Sequence, residues 1–183
     1  MGQQIHKSIQ NLSKFNNRIL IAGQSGSGKT QLIKHLNLNS YSIDADDMPY
    51  PLQKIQYNNL SINIWSLNGK WKTYYYCEHY FENNDTIIYV LDSIDCEQIS
   101  QATYTINKII QKNQNKKTPV LIFFNQNHSQ QPIQIQQIEQ LLNLQEISGI
   151  DQYCIQQYCA IKGDGVIQGF QWLQKLLTKN QNQ

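Results

Sequence analysis

The sequence predicts an α/β domain in which helices flank a mostly parallel sheet. Apolar strand-like runs alternate with helix-like stretches along most of the chain, which is the pattern of α/β folds. Two of the runs, Ile87–Leu91 and Val120–Phe124, are apolar throughout, which is typical of central parallel strands covered on both faces. A glycine-rich run, Gly23–Thr30, joins the first strand-like run to the first helical stretch. A ligand site is therefore expected at the carboxyl ends of the strands.

The pattern of apolar residues predicts six strands. The second and third are separated only by Asn58 and Asn59, which indicates a hairpin with a two-residue turn. In chain order the predicted strands are Arg18–Ala22, Leu52–Tyr57, Leu60–Trp65, Thr86–Leu91, Val120–Asn125 and Tyr153–Ala160.

Three further helices are predicted beside the one that follows the glycine-rich run. Each carries apolar residues three or four positions apart, which gives one apolar face that can pack on a sheet. The three stripes are Ile99, Ala102, Ile106 and Ile109; Ile135, Ile138, Leu141 and Leu142; and Val166, Phe170, Leu173 and Leu177.

The glycine-rich run carries the clearest chemical signal in the chain. It reads Gly23-Gln24-Ser25-Gly26-Ser27-Gly28-Lys29-Thr30, a complete phosphate-binding loop. Glycines let the backbone wrap so that successive N–H groups and a helix N-terminus point at a polyphosphate. In such a loop Lys29 reaches the β- and γ-phosphates, and the Thr30 hydroxyl binds Mg²⁺. The sequence therefore predicts a nucleotide site with Mg²⁺.

Length and composition fit one domain in a reducing compartment. The chain has 183 residues and a net charge of +2, and its lysines cluster too weakly for a nucleic-acid binder. Its four cysteines form no Cys-x-x-Cys pair and no secretory framework. No apolar stretch is long enough for a signal peptide or a membrane span. We therefore expect an intracellular protein, either cytoplasmic or peripheral on a membrane.

The N-terminal segment is predicted to be an amphipathic extension, residues 1–17, ahead of a domain at 18–179 and a frayed tail at 180–183. Its apolar residues recur at helical spacing, and lysines lie among them, which suits an anionic membrane surface. Met1-Gly2 is similar to the start of an N-myristoylation signal, which makes Gly2 a candidate for acylation. Docking on a partner protein explains the same stripe equally well. The stripe consists of Ile5, Ile9, Leu12 and Phe15.

Several motifs together resemble the Arf/Arf-like (ADP-ribosylation-factor-like) branch of the small GTPases over nearly the whole chain. The resemblance implies a P-loop small-GTPase fold with a six-stranded, mostly parallel sheet and an N-terminal amphipathic helix. It also implies GTP or GDP with Mg²⁺ as the ligand. The motifs are Met1-Gly2, Arg18–Leu20, Gly23–Thr30, Trp65–Lys70, His79–Phe81, Ile88–Ser93, Tyr158–Gly165 and Gly169–Leu173.

The residues that the resemblance assigns to hydrolysis are replaced. The family's Trp-Asp-x-Gly-Gly-Gln motif has Ser66 in place of the Mg²⁺-supporting aspartate and Lys70 in place of the water-orienting glutamine. Gly69, whose N–H would meet the γ-phosphate, is retained. A lysine has only donors and cannot accept a hydrogen bond from attacking water. The first switch has Asp47 where the family's threonine closes on Mg²⁺, so Asp47 either ligates the metal itself or lies in an unliganded acidic loop.

Base recognition is altered as well. Where the family has Asn-Lys-x-Asp, this chain has Asn125, Gln126 and then His128, which is not the carboxylate that selects guanine. The resemblance still assigns Cys159 and Ala160 to the base side, with the Ala160 N–H facing a base carbonyl. GTP or GDP therefore stays the expected ligand, although the sequence does not fix which base is bound.

The effector surface of the resemblance falls on Trp71–Tyr76, which contains four aromatic residues. Exposed aromatic side chains there would anchor a protein partner, although they can also cover the sheet edge. The sequence thus favours a nucleotide-binding pseudo-GTPase that serves as a non-switching interaction or assembly subunit, with hydrolysis absent or very slow. An active Arf-like switch in membrane traffic that needs an external activator is the alternative. A nucleotide-free scaffold is the second alternative.

Overall fold

A computed structural model describes residues 16–36, 40–43, 52–57, 60–66, 81–92, 96–113, 117–126 and 134–179. Within these residues one sheet of seven strands has the order β2-β3-β4-β1-β5-β6-β7. The strands are β1 Asn16–Gly23, β2 Ser40–Ile43, β3 Leu52–Tyr57, β4 Leu60–Ser66, β5 Thr86–Leu91, β6 Thr118–Asn125 and β7 Ile150–Tyr158.

Four α-helices lie in the described part of the chain. They are α1 Lys29–Leu36, α2 Cys96–Lys112, α3 Ile135–Leu142 and α4 Val166–Lys179, and a 3₁₀ turn at Leu144–Glu146 follows α3. Among the described residues no helix is both long and apolar enough to cross a membrane.

The sheet is mostly parallel, as predicted. Strand β1 lies between β4 and β5, and the pairs from β4 to β7 are all parallel. Strands β3 and β4 pair antiparallel with Tyr57 opposite Leu60, which confirms the predicted hairpin. The sheet has seven strands instead of six because Ser40–Ile43 adds an antiparallel edge strand to β3. Edge strands carry little hydrophobic signal, and this one has only four residues.

The core has two halves, one on each face of the sheet. In β1, Leu20 and Ala22 point to one face while Ile19 and Ile21 point to the other, and all four are fully buried. The first face is covered by α2 and α3, and the second by α1 and α4. Strands β5 and β6 are buried at every residue, which confirms their predicted central position.

The predicted helical stripes are buried except at two positions of α3, Leu141 and the half-buried Ile135. All four stripe residues of α2 and all four of α4 are core residues. In α3, Ile138 and Leu142 are buried, whereas Leu141 is 48% exposed and does not belong to the packed face. Strand β7 also ends at Tyr158, two residues earlier than predicted, because Gly163 N–H donates to the Cys159 carbonyl and closes a turn there.

Several predictions concern residues outside the described part of the chain. They are the N-terminal extension with Gly2, the switch residue Asp47, Gly69 and Lys70, the Trp71–Tyr76 surface, His128, and the tail at 180–183.

Candidate functional site

The predicted phosphate-binding loop lies between the end of β1 at Gly23 and the start of α1 at Lys29. All three glycines of the loop have a positive φ, which favours glycine: +146° at Gly23, +82° at Gly26 and +96° at Gly28. A Cβ on Gly28 would lie 2.3 Å from the Tyr158 hydroxyl, whereas one on Gly26 would meet no atom within 4 Å. The loop thus rests on protein at Gly28 and borders open space at Gly26, which leaves room for a ligand.

Lys29 is the charged group of this loop. It is only 7% exposed, and its ammonium donates to the carbonyls of Gly23 at 2.9 Å and Gln24 at 2.5 Å. It also lies 3.4 Å from the Ser27 hydroxyl. All three partners are neutral oxygens, so none of them compensates the positive charge. Burial lowers the pKa of this lysine to about 8. A buried ammonium with neutral partners, at a helix N-terminus, fits a polyphosphate anion.

Thr30 and Ser25 are the exposed hydroxyl residues of the loop. Thr30 lies in the first turn of α1, where its exposed side chain suits the predicted contact with Mg²⁺. The described residues contain no group of three or more His, Cys, Asp or Glu side chains that could hold a metal by themselves. Within the described residues a Mg²⁺ ion would therefore be held by Thr30 together with the phosphates of a bound nucleotide, and Asp47, the other predicted ligand, lies outside them.

Ser66 is the last residue of β4, the strand that pairs with β1. Its backbone pairs with Ile21 of β1, two residues before Gly23. This places the residue that replaces the Mg²⁺-supporting aspartate at the same edge of the sheet as the phosphate-binding loop.

Asn125 connects the phosphate-binding loop to the predicted base side. Its Nδ2 donates to Asp92 Oδ1 at 2.7 Å and to the Ser27 carbonyl at 3.4 Å, and its Oδ1 accepts from the Ala160 N–H at 3.1 Å. The side chain is buried. A base carbonyl that approached Ala160 would have to share this N–H with Asn125.

The other predicted base residues lie around the same position. The Gln126 N–H donates to the Tyr158 carbonyl at 3.1 Å, and its side-chain oxygen accepts a hydrogen bond from Gln157. Cys159 holds the turn after β7, because its N–H donates to the Asp164 carbonyl at 3.0 Å. The structure therefore brings Asn125, Gln126, Cys159 and Ala160 together at the carboxyl ends of β6 and β7.

Three further residues of this region were not predicted from the sequence. Asp92 accepts from Asn125, Tyr158 donates to the Gly28 carbonyl at 3.0 Å, and His35 Nε2 lies 2.8 Å from the Ala160 carbonyl. Asp92 directly follows a buried strand, which is a usable signal for a site residue. The other two contacts join residues more than a hundred positions apart, so no local sequence pattern predicts them.

Comparison with known proteins agrees with this geometry. The model of the ADP-ribosylation factor family matches residues 3–177, which is nearly the whole chain. The chain belongs to the ADP-ribosylation factor family. It is 30% identical over 160 residues to ADP-ribosylation factor 3 of Arabidopsis thaliana and to ADP-ribosylation factor 1 of Brassica rapa subsp. pekinensis, covering 87% of this chain and 87% of each relative.

Solved structures support the fold. The chain is similar to the Arl6 BBS3 small GTPase from Trypanosoma brucei, which was solved with the nucleotide analogue GppNp. The TM-score is 0.75 at 22% identity, over 90% of this chain and 98% of that one. The predicted Arf-like small-GTPase fold is therefore confirmed. Proteins of this family generally bind guanine nucleotide with Mg²⁺ and interact with proteins and membranes.

Proposed function

We propose that this member of the ADP-ribosylation factor family binds a nucleoside polyphosphate without turning it over, and serves as a non-switching interaction or assembly subunit. The observation that carries the proposal is the buried Lys29 ammonium in a complete phosphate-binding loop, where its hydrogen-bond partners among the described residues are neutral oxygens. A bound phosphate group would compensate this charge. The domain would then gain stability from its nucleotide by mass action, even without hydrolysis.

Absent or very slow hydrolysis follows from the chemistry of the replaced residues. Phosphoryl transfer to water needs a bound metal and a residue that orients the attacking water. Ser66 has a neutral hydroxyl where the family carries a carboxylate, and its strand places it beside the loop. Lys70 has no acceptor for a water proton. Asp47 replaces the switch threonine, so the first switch either binds the metal through the Asp47 carboxylate or does not bind it.

The proposed ligand is GTP or GDP with Mg²⁺. The loop Gly23–Thr30 would hold the phosphates with the N–H of Gly69, and Thr30 would bind the metal. Asn125, Gln126, Cys159 and Ala160, which lie together at the carboxyl ends of β6 and β7, would contact the base. His128 cannot supply the carboxylate that makes guanine preferred, so the base selectivity is expected to be weaker than a carboxylate site gives.

The interaction surfaces of the proposal lie at the second switch and the N-terminus. The aromatic residues of Trp71–Tyr76 would anchor a protein partner. The stripe in residues 1–17 would dock on that partner or on a membrane, where an acyl group on Gly2 would strengthen otherwise marginal binding. We propose that the protein acts inside the cell, in the cytoplasm or on a membrane surface.

An active switch that needs an external activator is the second candidate. Identity of 30% to two ADP-ribosylation factors and the complete phosphate-binding loop favour it. Turnover of GTP separates the two functions, because only the switch hydrolyses its ligand. A nucleotide-free scaffold, the third candidate, would bind neither GTP nor GDP.

The proposal is tested by single-turnover hydrolysis of GTP bound to the purified chain. We expect GTP to bind with Mg²⁺ and to remain intact, and we expect the double variant Ser66→Asp with Lys70→Gln to release phosphate at a measurable rate. The matched control is Ser66→Asp with Lys72→Gln, which makes the same charge change two residues away. Hydrolysis by the unaltered chain would overturn the proposal in favour of the switch.

A further inference from the structure

Tyr158 is a buried tyrosine that directly supports the phosphate-binding loop. It is the last residue of β7 and is only 1% exposed. Its ring packs edge-on against Phe123, with 5.4 Å between the ring centroids. Its hydroxyl donates to the Gly28 carbonyl at 3.0 Å, across 130 residues of sequence. The loop is therefore tied to the far strand of the sheet through a side chain that belongs to the core.

The Gly28 carbonyl also takes part in the first turn of α1. It accepts the Leu32 N–H at 2.9 Å, so the tyrosine hydroxyl is the second donor to the same oxygen. A peptide group is planar and trans, so its C=O and the following N–H point in opposite directions. Two bonds that fix the Gly28 carbonyl therefore also fix the Lys29 N–H on the opposite side of that peptide, at the open N-terminus of α1.

The fit around Gly28 leaves no space between the loop and Tyr158. A Cβ at position 28 would lie 2.3 Å from the hydroxyl and 3.1 Å from the Ala160 Cβ. Burial, and secondarily the charge of Asp92, raises the pKa of the phenol. The hydroxyl thus keeps its proton at physiological pH and stays a donor.

We propose that Tyr158 is a positioning residue that holds the phosphate-binding loop in its anion-binding form before any nucleotide arrives. Preorganisation of this kind reduces the ordering cost of binding. Two other hydrogen bonds restrain the same region, one from Asn125 at the end of β6 to the Ser27 carbonyl and one between His35 of α1 and the Ala160 carbonyl. The Tyr158 hydroxyl therefore contributes only part of the restraint. The effect on nucleotide affinity rests on the proposed function, whereas the effect on the loop itself does not.

The variant Tyr158→Phe tests the proposal because it keeps the ring against Phe123 and removes only the hydroxyl. Hydrogen exchange of the backbone amides is followed by mass spectrometry, with and without GDP and Mg²⁺. We expect exchange in residues 23–30 without nucleotide to become about 5-fold faster, and GDP to bind about 5-fold more weakly, as loss of one neutral hydrogen bond gives.

The control is Tyr153→Phe in the same strand. The Tyr153 hydroxyl donates to Glu139 at 2.6 Å and accepts from Gln145 at 2.8 Å, and neither partner belongs to the loop. This variant loses a hydroxyl with two hydrogen bonds and should leave exchange in residues 23–30 unchanged. The central strand β6, whose amides should not change in either variant, reports any general loss of stability.

Unchanged exchange in residues 23–30 of Tyr158→Phe, or an equal rise in Tyr153→Phe, would overturn the positioning role. Faster exchange confined to residues 23–30 supports it, even if the unaltered chain binds no GDP. In that last case the positioning role stands and the proposed nucleotide-binding function fails, so the two failures are distinguishable.

Discussion

At the scale of single residues, Lys29 determines how the candidate site responds to pH. Burial lowers the pKa of its ammonium from 10.5 to about 8. Between these two values the unfolded chain binds the proton and the folded domain does not. The free energy of unfolding should therefore rise with pH across this window, because the cost of the buried charge is present below pH 8 and relieved above it.

Anion binding should follow the opposite trend, since it needs the charged form of Lys29. We expect the affinity for inorganic tripolyphosphate, which has no base to titrate, to fall roughly fivefold between pH 8 and pH 9. Isothermal titration calorimetry measures this directly. The variant Lys34→Ala, which removes an exposed lysine of the same helix, should keep the same pH profile. An affinity that is constant up to about pH 10 would contradict a role for Lys29 in phosphate binding.

Asn125 shows how far single residues can be predicted. Its place beside the site followed from the sequence, since it ends a buried strand at the carboxyl edge of the sheet. Its partners Asp92, Ser27 and Ala160 lie on three other segments, and only the strand order brings them together. The role of Tyr158 could not be predicted either, because neither its burial nor its contact with Gly28 has a signature in the neighbouring sequence.

At the scale of elements, the phosphate-binding loop combines two different constraints on its glycines. Gly26 and Gly28 both need a left-handed backbone, but only Gly28 is enclosed by side chains. An alanine at Gly26 should destabilise the domain by about 1 kcal/mol, which is the cost of the backbone conformation alone. An alanine at Gly28 should cost about 3 kcal/mol, because its Cβ also displaces Tyr158.

Urea unfolding of Gly26→Ala and Gly28→Ala beside the unaltered chain measures this difference. The two variants serve as controls for each other, since they change the same residue type in the same loop. Equal losses in the free energy of unfolding would mean that backbone strain alone accounts for the effect of both substitutions. The close fit of Gly28 against Tyr158 would then add nothing to the cost.

The elements themselves were largely predictable. Continuous apolar runs placed β5 and β6 in the centre of the sheet, and helical periodicity marked the buried faces of α2 and α4. Strand β2 was missed, since four residues at a sheet edge need no continuous apolar pattern. The end of β7 was predicted two residues too late. The turn that ends the strand is formed by backbone hydrogen bonds of Cys159, Gly163 and Asp164, and the residue types at 159 and 160 do not signal it.

At the scale of the whole molecule, the parallel strands bring the site together at one edge. The phosphate-binding loop follows β1, Asp92 follows β5, Asn125 ends β6 and Tyr158 ends β7. The sheet between α1 and α4 on one face and α2 and α3 on the other is a rigid support for these residues. The domain thus keeps the fold of its family and a complete phosphate-binding loop, while Ser66, Lys70, Asp47 and His128 replace residues that the resemblance assigns to hydrolysis and base selection.

The most direct test of this account is the identity of the nucleotide that the protein carries in its own cells. The chain is purified gently, denatured, and the released nucleotides are identified by chromatography and mass. We expect close to one GTP per chain, because a bound triphosphate that is not hydrolysed stays intact. Release of no nucleotide would contradict nucleotide binding itself, whereas GDP at the same level would favour the active switch over a protein that does not hydrolyse its ligand.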